Sequence, residues 1–236
     1  AVVIGNSNYD KGTLNNPVND ALLMKETLEK LGFDVLLDTN ISTRNELLKS
    51  VNSFGEKRKE YQIGFVYYAG HGVQIDGENY ILATKEIYNS KINVKDNGVN
   101  VGRFKEFFED FNNEINILVL DACRNNPFEK NWTQSSRSLD QGIGLAPLAS
   151  TGNIVAFSTS AGTTASDGSE KNSPYCLSLA RNMMLPDLDL DQIFRNVRKE
   201  IREISNGNQL PTVDNQYEGS DFYFLKSTYT DQIIEI

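Results

Sequence analysis

The sequence holds one histidine and one of its two cysteines in matching positions. His71, the only histidine, lies between two glycines directly after the apolar run 63–69, and Cys123 follows a second apolar run, 115–120. A sulfur nucleophile beside an imidazole that can move protons can catalyse covalent acyl transfer. If the two runs are parallel neighbouring strands, both residues emerge at the same edge of one sheet.

For each of these two residues alone there is an ordinary structural explanation. A single cysteine at a strand end is usually a small buried hydrophobic residue, and a histidine between glycines can be a turn residue. The occurrence of both residues in this pattern favours a catalytic role, because the only imidazole and a thiol each follow an apolar strand. The backbone N–H groups of Gly72 and Cys123 are then candidates for an oxyanion hole, since both lie where a strand is expected to end. Cys176, inside a predicted helix, is expected to be a core residue.

The strands that carry these residues belong to an alternation of apolar runs and helical periods. Near-continuous apolar strands are typical of a parallel sheet covered on both sides. We therefore predict an α/β fold, with a mostly parallel central sheet of about six strands flanked by helices on both faces. The predicted strands are 1–4, 33–38, 63–69, 115–120, 153–158 and 221–225, with a hairpin over 73–82, and the predicted helices begin near Pro17, after the capping box Thr43–Glu46, and near Phe104, Pro174 and Leu190.

Composition excludes several classes of function. The 236 residues are 39 % hydrophobic, with 32 acidic against 23 basic residues and a net charge of −9. The acidic balance argues against nucleic acid as a partner. No apolar run approaches the roughly 20 residues that span a bilayer, so no membrane partner is predicted. Two cysteines and one histidine cannot supply the four ligands of a zinc site, and so few cysteines favour a reducing, cytoplasmic location.

Two sequence blocks resemble those of a known family. The segments 67–72 (YYAGHG) and 120–128 (LDACRNNPF) resemble the His and Cys blocks of bacterial caspase-like peptidases, relatives of metacaspases and paracaspases. The segments 3–6, 16–21, 144–148 and 158–175 also match, in family order. The resemblance implies a caspase fold and a cysteine endopeptidase, in which Cys123 attacks the scissile carbonyl and His71 transfers the proton.

Departures from the animal-caspase signature bear on specificity. Asp121 stands where that signature, Gln-Ala-Cys-x-Gly, has Gln, and Asn125 stands where it has Gly. The difference points away from cleavage after aspartate. The chain also starts abruptly inside an apolar run without an initiator Met, so we expect residues 1–236 to be a single caspase-like domain excised from a longer protein.

Acidic residues in metacaspase-like relatives hold a basic side chain at P1, the residue before the scissile bond. The matching positions here are Asp20 and Asp121, with Asp167 as a third candidate. Two carboxylates near the thiol would pair with a guanidinium or ammonium group and repel an acidic one. The structural alternatives are a first-turn helix acid at Asp20 and a local cap at Asp121. Pro17 replaces a cysteine common in relatives, so the pocket wall is expected to differ.

The long polar segment 125–150 carries Lys130 and Arg137, which the resemblance makes candidates for self-cleavage. Incidental charges on a solvated loop are the alternative. No Asp/Asn/Gly array has the spacing of a calcium loop, so no cofactor or metal is predicted, and calcium dependence has no support in the sequence. The expected partners are a protein or peptide substrate and a regulatory domain or protein, because caspase-like domains commonly form the effector part of larger chains.

Two other functions compete with a peptidase. One is a catalytically silent caspase-like domain that binds partners, although the presence of both the cysteine and the histidine argues against it. The other is a doubly wound domain that binds a nucleotide, but the chain lacks both G-x-G-x-x-G and a P-loop.

Overall fold

The computed structural model describes residues 1–109, 115–123, 153–159 and 171–227, and for Glu109 and Cys123 the backbone only. The strands are β1 (Val2–Gly5), β2 (Leu36–Thr39), β3 (Ile63–Ile75), β4 (Glu78–Ile81), β5 (Val99–Asn100), β6 (Ile115–Cys123), β7 (Asn153–Phe157) and β8 (Thr212–Asn215), and the helices are α1 (Pro17–Lys30), α2 (Arg44–Arg58), α3 (Lys91–Asn97), α4 (Gly102–Glu109), α5 (Pro174–Met183) and α6 (Leu190–Ile204).

The central sheet has the strand order β2-β1-β3-β6-β7-β8. Neighbours from β2 to β7 are parallel, and β8 is antiparallel to β7. The second half of β3 pairs antiparallel with β4, which also pairs with β5. The predicted α/β fold, with a mostly parallel sheet of about six strands in its main body, is confirmed.

Two core layers lie on opposite faces of this sheet. Because successive side chains of a strand point to opposite faces, Phe65 and Tyr67 pack on one side of β3 and Val66 and Tyr68 on the other. The first layer includes buried residues of α1, α5 and α6, and the second includes buried residues of α2 and α4. The central strands β1, β3, β6 and β7 are therefore mostly apolar because both of their faces are covered.

Local sequence signals account for several helix starts. The predicted capping box at the start of α2 is present: Thr43 accepts from the Glu46 backbone N–H, and the Glu46 carboxylate accepts from the Thr43 backbone N–H. Pro17 occupies the first turn of α1, where its missing N–H costs no helical hydrogen bond. None of the helices in the described ranges has the length and apolar character needed to cross a bilayer.

The predicted strand at 221–225 is wrong. This segment forms only an isolated bridge at Tyr223, and β8 closes the described end of the sheet instead. The aromatic ring of Phe224 packs edge-on against Phe65, with a centroid distance of 6.1 Å. The apolar alternation of the segment therefore reflects rings buried against the first core layer and not pairing within the sheet.

The strand β3 is longer than the sequence predicts. Residues 63–69 and the first arm of the hairpin form one continuous strand of 13 residues. The hairpin itself is confirmed, because Asp76 and Gly77 both have positive φ (52° and 84°), as a two-residue type I′ turn requires. Gly72 consequently lies inside β3, opposite Ile81 of β4, and not at a strand end. The strand continues because its backbone passes from pairing with β6 to pairing with β4.

Candidate active site

The backbone positions of His71 and Cys123 lie opposite each other in neighbouring strands. The parallel register of β3 and β6 starts at Ile63↔Ile115 and ends at His71↔Cys123. Adjacent strands are about 4.7–4.9 Å apart, so the two positions share one point of the carboxyl edge of the sheet. Open α/β sheets bind their ligands at this edge.

The imidazole of His71 is buried against the loop that follows β1. The residue is 4 % exposed, and its ring lies 4.3 Å from the Tyr9 ring, centroid to centroid. The Nε2 atom lies 2.6 Å from the Gly12 carbonyl oxygen. A carbonyl only accepts, so Nε2 carries the hydrogen and Nδ1 is the basic nitrogen of the neutral ring. Burial lowers the pKa of His71, against an opposing effect of the Gly12 bond, so the ring is neutral at pH 7.

Two tyrosine hydroxyls hold the backbone of His71 from both sides. The His71 N–H donates to Tyr9 Oη (2.9 Å), and Tyr68 Oη donates to the His71 carbonyl (2.7 Å). The two hydroxyls are themselves 3.1 Å apart. A Cβ atom at Gly70 would lie 2.7 Å from each hydroxyl oxygen, so only glycine fits between them and the strand.

The structure brings together two of the three predicted acidic residues, Asp20 on α1 and Asp121 on β6. Asp20 Oδ1 accepts from Asn172 Nδ2 and from the Ser173 backbone N–H, both at 2.9 Å. Asp121 Oδ2 accepts from Tyr67 Oη and from Ser173 Oγ, also at 2.9 Å. Ser173 therefore bridges the two carboxylates and fixes their relative position.

This acid pair is buried and electrostatically unfavourable. Asp20 is 2 % and Asp121 9 % exposed. Desolvation and, after it, the charge of Asp121 raise the pKa of Asp20, the bonds from Asn172 and Ser173 lower it, and the net result is a pKa of about 7. No lysine or arginine within the described ranges forms an ion pair with Asp20. A cation that binds beside Asp20 would favour the charged form that burial opposes.

The structural alternatives for the two acids are only partly adequate. Asp20 does lie in the first turn of α1, where the helix dipole favours a carboxylate. Its oxygen, however, bonds to Asn172 and Ser173, which lie at the start of α5 and far along the chain. Asp121 bonds to the same distant serine, and the turn after its own strand lies outside the described residues.

Sequence reasoning missed the residues that hold these groups in place. Tyr9 and Gly12 position the imidazole, and Tyr67, Asn172 and Ser173 position the carboxylates. The available signals were the Ser-Pro start of α5, where the Ser173 hydroxyl also caps the helix by accepting from the Cys176 N–H, and the loop rich in Asn and Gly after β1.

The remaining predicted site residues have different outcomes. Asp167, Lys130 and Arg137 lie outside the described residues. Cys176 is fully buried in the first core layer, as expected of a core residue. In the part of the chain that the structure describes, no group of three or more His, Cys, Asp or Glu side chains is arranged to hold a metal ion.

The fold is that of the caspases. The chain is similar to the crystal structure of caspase-1 from Spodoptera frugiperda, with a TM-score of 0.69 and 14 % sequence identity, over 97 % of this chain and 90 % of that one. The model of the caspase domain family matches residues 1–223, and the chain belongs to this family. Membership supports a cysteine-peptidase type of function in general terms and confirms the resemblance to caspase-like peptidases, whereas the bacterial origin stays a prediction.

A human relative is similar over part of its length. Mucosa-associated lymphoid tissue lymphoma translocation protein 1 from Homo sapiens is 29 % identical over 129 residues, which are 52 % of this chain and 15 % of the human protein. The match therefore concerns one region of a much longer protein.

Proposed function

We propose that this chain is a cysteine endopeptidase that cleaves after arginine or lysine through a dyad of His71 and Cys123. The observation that carries the proposal is the register of β3 and β6, in which the two residues are direct partners at the carboxyl edge. One peptide bond laid across this edge would be within reach of both. Family membership supports the peptidase class, and the acid pair supports the specificity.

The reaction proceeds in two stages. In the first, the Cys123 sulfur bonds to the scissile carbonyl carbon, and the imidazole of His71 carries the thiol proton to the leaving amine as the C–N bond breaks. In the second, His71 takes a proton from a water whose oxygen attacks the thioester, and the thiol leaves with that proton. The backbone N–H groups of Gly72 and Cys123 are the proposed donors to the oxyanion of both tetrahedral intermediates.

The environment of His71 suits this role. The neutral ring has its basic nitrogen at Nδ1, because the Gly12 carbonyl fixes the hydrogen on Nε2. The lowered pKa keeps the imidazole able to accept a proton at pH 7. The two tyrosine hydroxyls on its backbone fix its position relative to β6.

The acid pair is the proposed recognition site for P1. Asp121 precedes the nucleophile by two residues on β6, so its carboxylate lies beside the point of attack. A guanidinium or ammonium group has only donors and can donate to both carboxylates. An acidic P1 side chain would add a third negative charge to a buried pair and is excluded.

A positional scan with the purified chain tests the proposal. Fluorogenic peptides that differ only at P1 (Arg, Lys, Ala, Leu, Asp) are assayed with and without Ca²⁺. We expect cleavage after Arg and Lys alone, and loss of cleavage in Cys123→Ala and His71→Ala. Cys176→Ala, which removes the buried cysteine of α5, is the matched control and should retain activity.

Labelling with a peptide electrophile that has arginine at P1 gives an independent readout. We expect modification of Cys123 in the wild type and in Cys176→Ala. A folded protein that cleaves no basic-P1 peptide, and whose Cys123 does not react with this electrophile, would contradict the proposal and favour a catalytically silent binding domain.

A further inference from the structure

The exposed face of α6 carries four positive charges in one stripe. Arg195, Arg198, Lys199 and Arg202 are all exposed and spaced i, i+3, i+4, i+7, so they lie on one side of the helix. With the turn that follows the helix they line an open groove of about 740 Å³. The opposite side of α6 is buried in the first core layer.

These four cations lack the ion pairs that other surface cations form. On α1, Lys25 and Lys30 bond to glutamates one turn away, at 2.6 and 2.7 Å. Within the described ranges no ion pair involves any of the four α6 cations. Like charges three and four residues apart repel each other on a helix, so the stripe is unfavourable to the isolated fold.

Acidic residues on α6 that could have balanced the stripe are bonded elsewhere. Asp191 accepts from Asn215 Nδ2 at 2.8 Å. Glu200 accepts from Arg181 and Ser178 of α5. Among the described residues that line the groove, Glu203 is the only carboxylate. The groove is thus a positive surface on a chain whose net charge is −9.

The groove is connected to the carboxyl edge of the sheet. The turn that lines its end leads to Gln209, whose Nε2 donates to the Ser158 carbonyl (2.8 Å). The Ser158 N–H donates in turn to the carbonyl of Leu120, the residue before Asp121. These bonds place the residues just after α6 near the carboxyl ends of β6 and β7, the edge that carries the proposed P1 site.

We propose that this groove is a docking site for an acidic segment of the protein substrate, outside the residues next to the cleaved bond. The proposal rests on the proposed peptidase function. A short acidic segment meets local positive potential, whereas a long polyanion such as nucleic acid is repelled by the net charge of the domain. The site would add affinity and orientation for selected substrates without any change in the chemistry.

A cleavage assay tests the docking site. Two peptides share an arginine at P1, and one carries in addition a tract of glutamates on a Gly/Ser linker of about 12 residues, which spans roughly 20 Å. Versions with the tract on either side of the cleavage site are compared. We expect kcat/KM to be about tenfold higher for one tract-bearing version, and this advantage to disappear in near-molar salt.

Two sets of charge-neutralising substitutions distinguish docking in the α6 groove from an effect of the net charge of the chain. Arg195→Gln/Arg198→Gln/Lys199→Gln/Arg202→Gln should remove the advantage of the tract and leave cleavage of the plain peptide unchanged. The control Lys25→Gln/Lys30→Gln/Lys57→Gln/Lys59→Gln changes the net charge equally, at exposed sites on and beside α1 and α2, and should keep the advantage. An equal loss in both variants, or no loss in the first, overturns the proposal.

A binding measurement does not depend on catalysis. Fluorescence anisotropy of a labelled oligoglutamate, with the intact wild-type chain and both variants, should give about tenfold weaker binding for the α6 variant only. If no peptide is cleaved, the proposed function fails, but the anisotropy measurement still shows whether the α6 groove binds an acidic peptide. Equal affinity for an oligonucleotide of the same charge would show that the groove binds any anion and would overturn the assignment to a protein segment.

Discussion

Replacing Asp20 by asparagine is expected to stabilise the fold at pH 8 while it weakens binding of a basic P1 residue. Both hydrogen bonds to Asp20 go to Oδ1, from Asn172 and Ser173, and an asparagine retains that oxygen as an acceptor. The change therefore removes the charge and keeps the contacts. Burial and the nearby charge of Asp121 are what oppose that charge, and they raise the pKa of Asp20 to about 7.

The size and sign of the effect follow from linkage. An aspartate in the unfolded chain titrates near 3.8, so between pH 4 and 7 the unfolded state releases a proton that the native state keeps. The free energy of unfolding of the wild type falls across this window and is constant above it. The difference between the two pKa values of Asp20, 3.8 in the unfolded chain and about 7 in the native state, corresponds to an upper limit of ~4 kcal/mol in the free energy of unfolding. Half of it, ~2 kcal/mol, would raise Tm by roughly 4–8 °C.

Thermal unfolding followed by circular dichroism measures this effect. The advantage of Asp20→Asn should be full at pH 8, partial near pH 5.5 and absent below about pH 4, where both states of the wild type are protonated. Asp34→Asn is the control, because hydrogen bonds from Lys57 and Tyr61 lower the pKa of this exposed carboxyl, and its loss should give no stabilisation. A Tm at pH 8 equal to or below that of the wild type, or a gain that persists in acid, would show that the charge of Asp20 does not destabilise the fold.

Three further outcomes are expected. For an arginine-P1 peptide, kcat/KM should rise with pH through about 7 as Asp20 loses its proton, and a profile that is flat there would contradict its role. Gly70→Ala should lower kcat because its Cβ displaces the two tyrosine hydroxyls. Gly77→Ala strains the remote hairpin turn through its φ of 84° but meets no atom within 4 Å, so it should leave kcat unchanged. Ser173→Ala should lower the free energy of unfolding in urea by about 1–2 kcal/mol and raise KM for the arginine peptide, because the hydroxyl both caps α5 and donates to Asp121. Ser173→Thr should restore the stability and the KM. An unchanged KM in Ser173→Ala would limit the role of the hydroxyl to capping.

The elements that place the candidate dyad could be predicted because their signals are local. Both strands contain mostly apolar runs, and short apolar runs of this kind are typical of strands buried on both faces. The register is also visible in the sequence as an equal spacing, since His71 follows Ile63 by 8 residues (71 − 63) and Cys123 follows Ile115 by 8 (123 − 115). Which two residues start the pairing is set by the helices packed on each face, and no local pattern in the sequence reveals it.

The features that were missed depend on contacts between distant segments. The strand β8 is mostly polar and lies at the described edge of the sheet, so it has no apolar run to reveal it. The more apolar segment near Phe224 is half-buried and pairs only through the isolated bridge at Tyr223. Ser173 meets the acid pair across 52 residues from Asp121 and 153 from Asp20. A single hydroxyl or backbone N–H has no periodicity, and only the folded chain shows which partner it meets.

The acid pair links the stability of this fold to its proposed selectivity. Tyr67, Ser173 and Asn172 donate hydrogen bonds to the two carboxylates, and these neutral donors orient them. Burial opposes the charge of Asp20, so replacing this carboxylate by a neutral amide should help the fold. Under the proposed function, a basic substrate side chain offsets the same cost when it binds. The free energy that the charged acid pair costs the fold then contributes to distinguishing arginine and lysine from neutral or acidic residues.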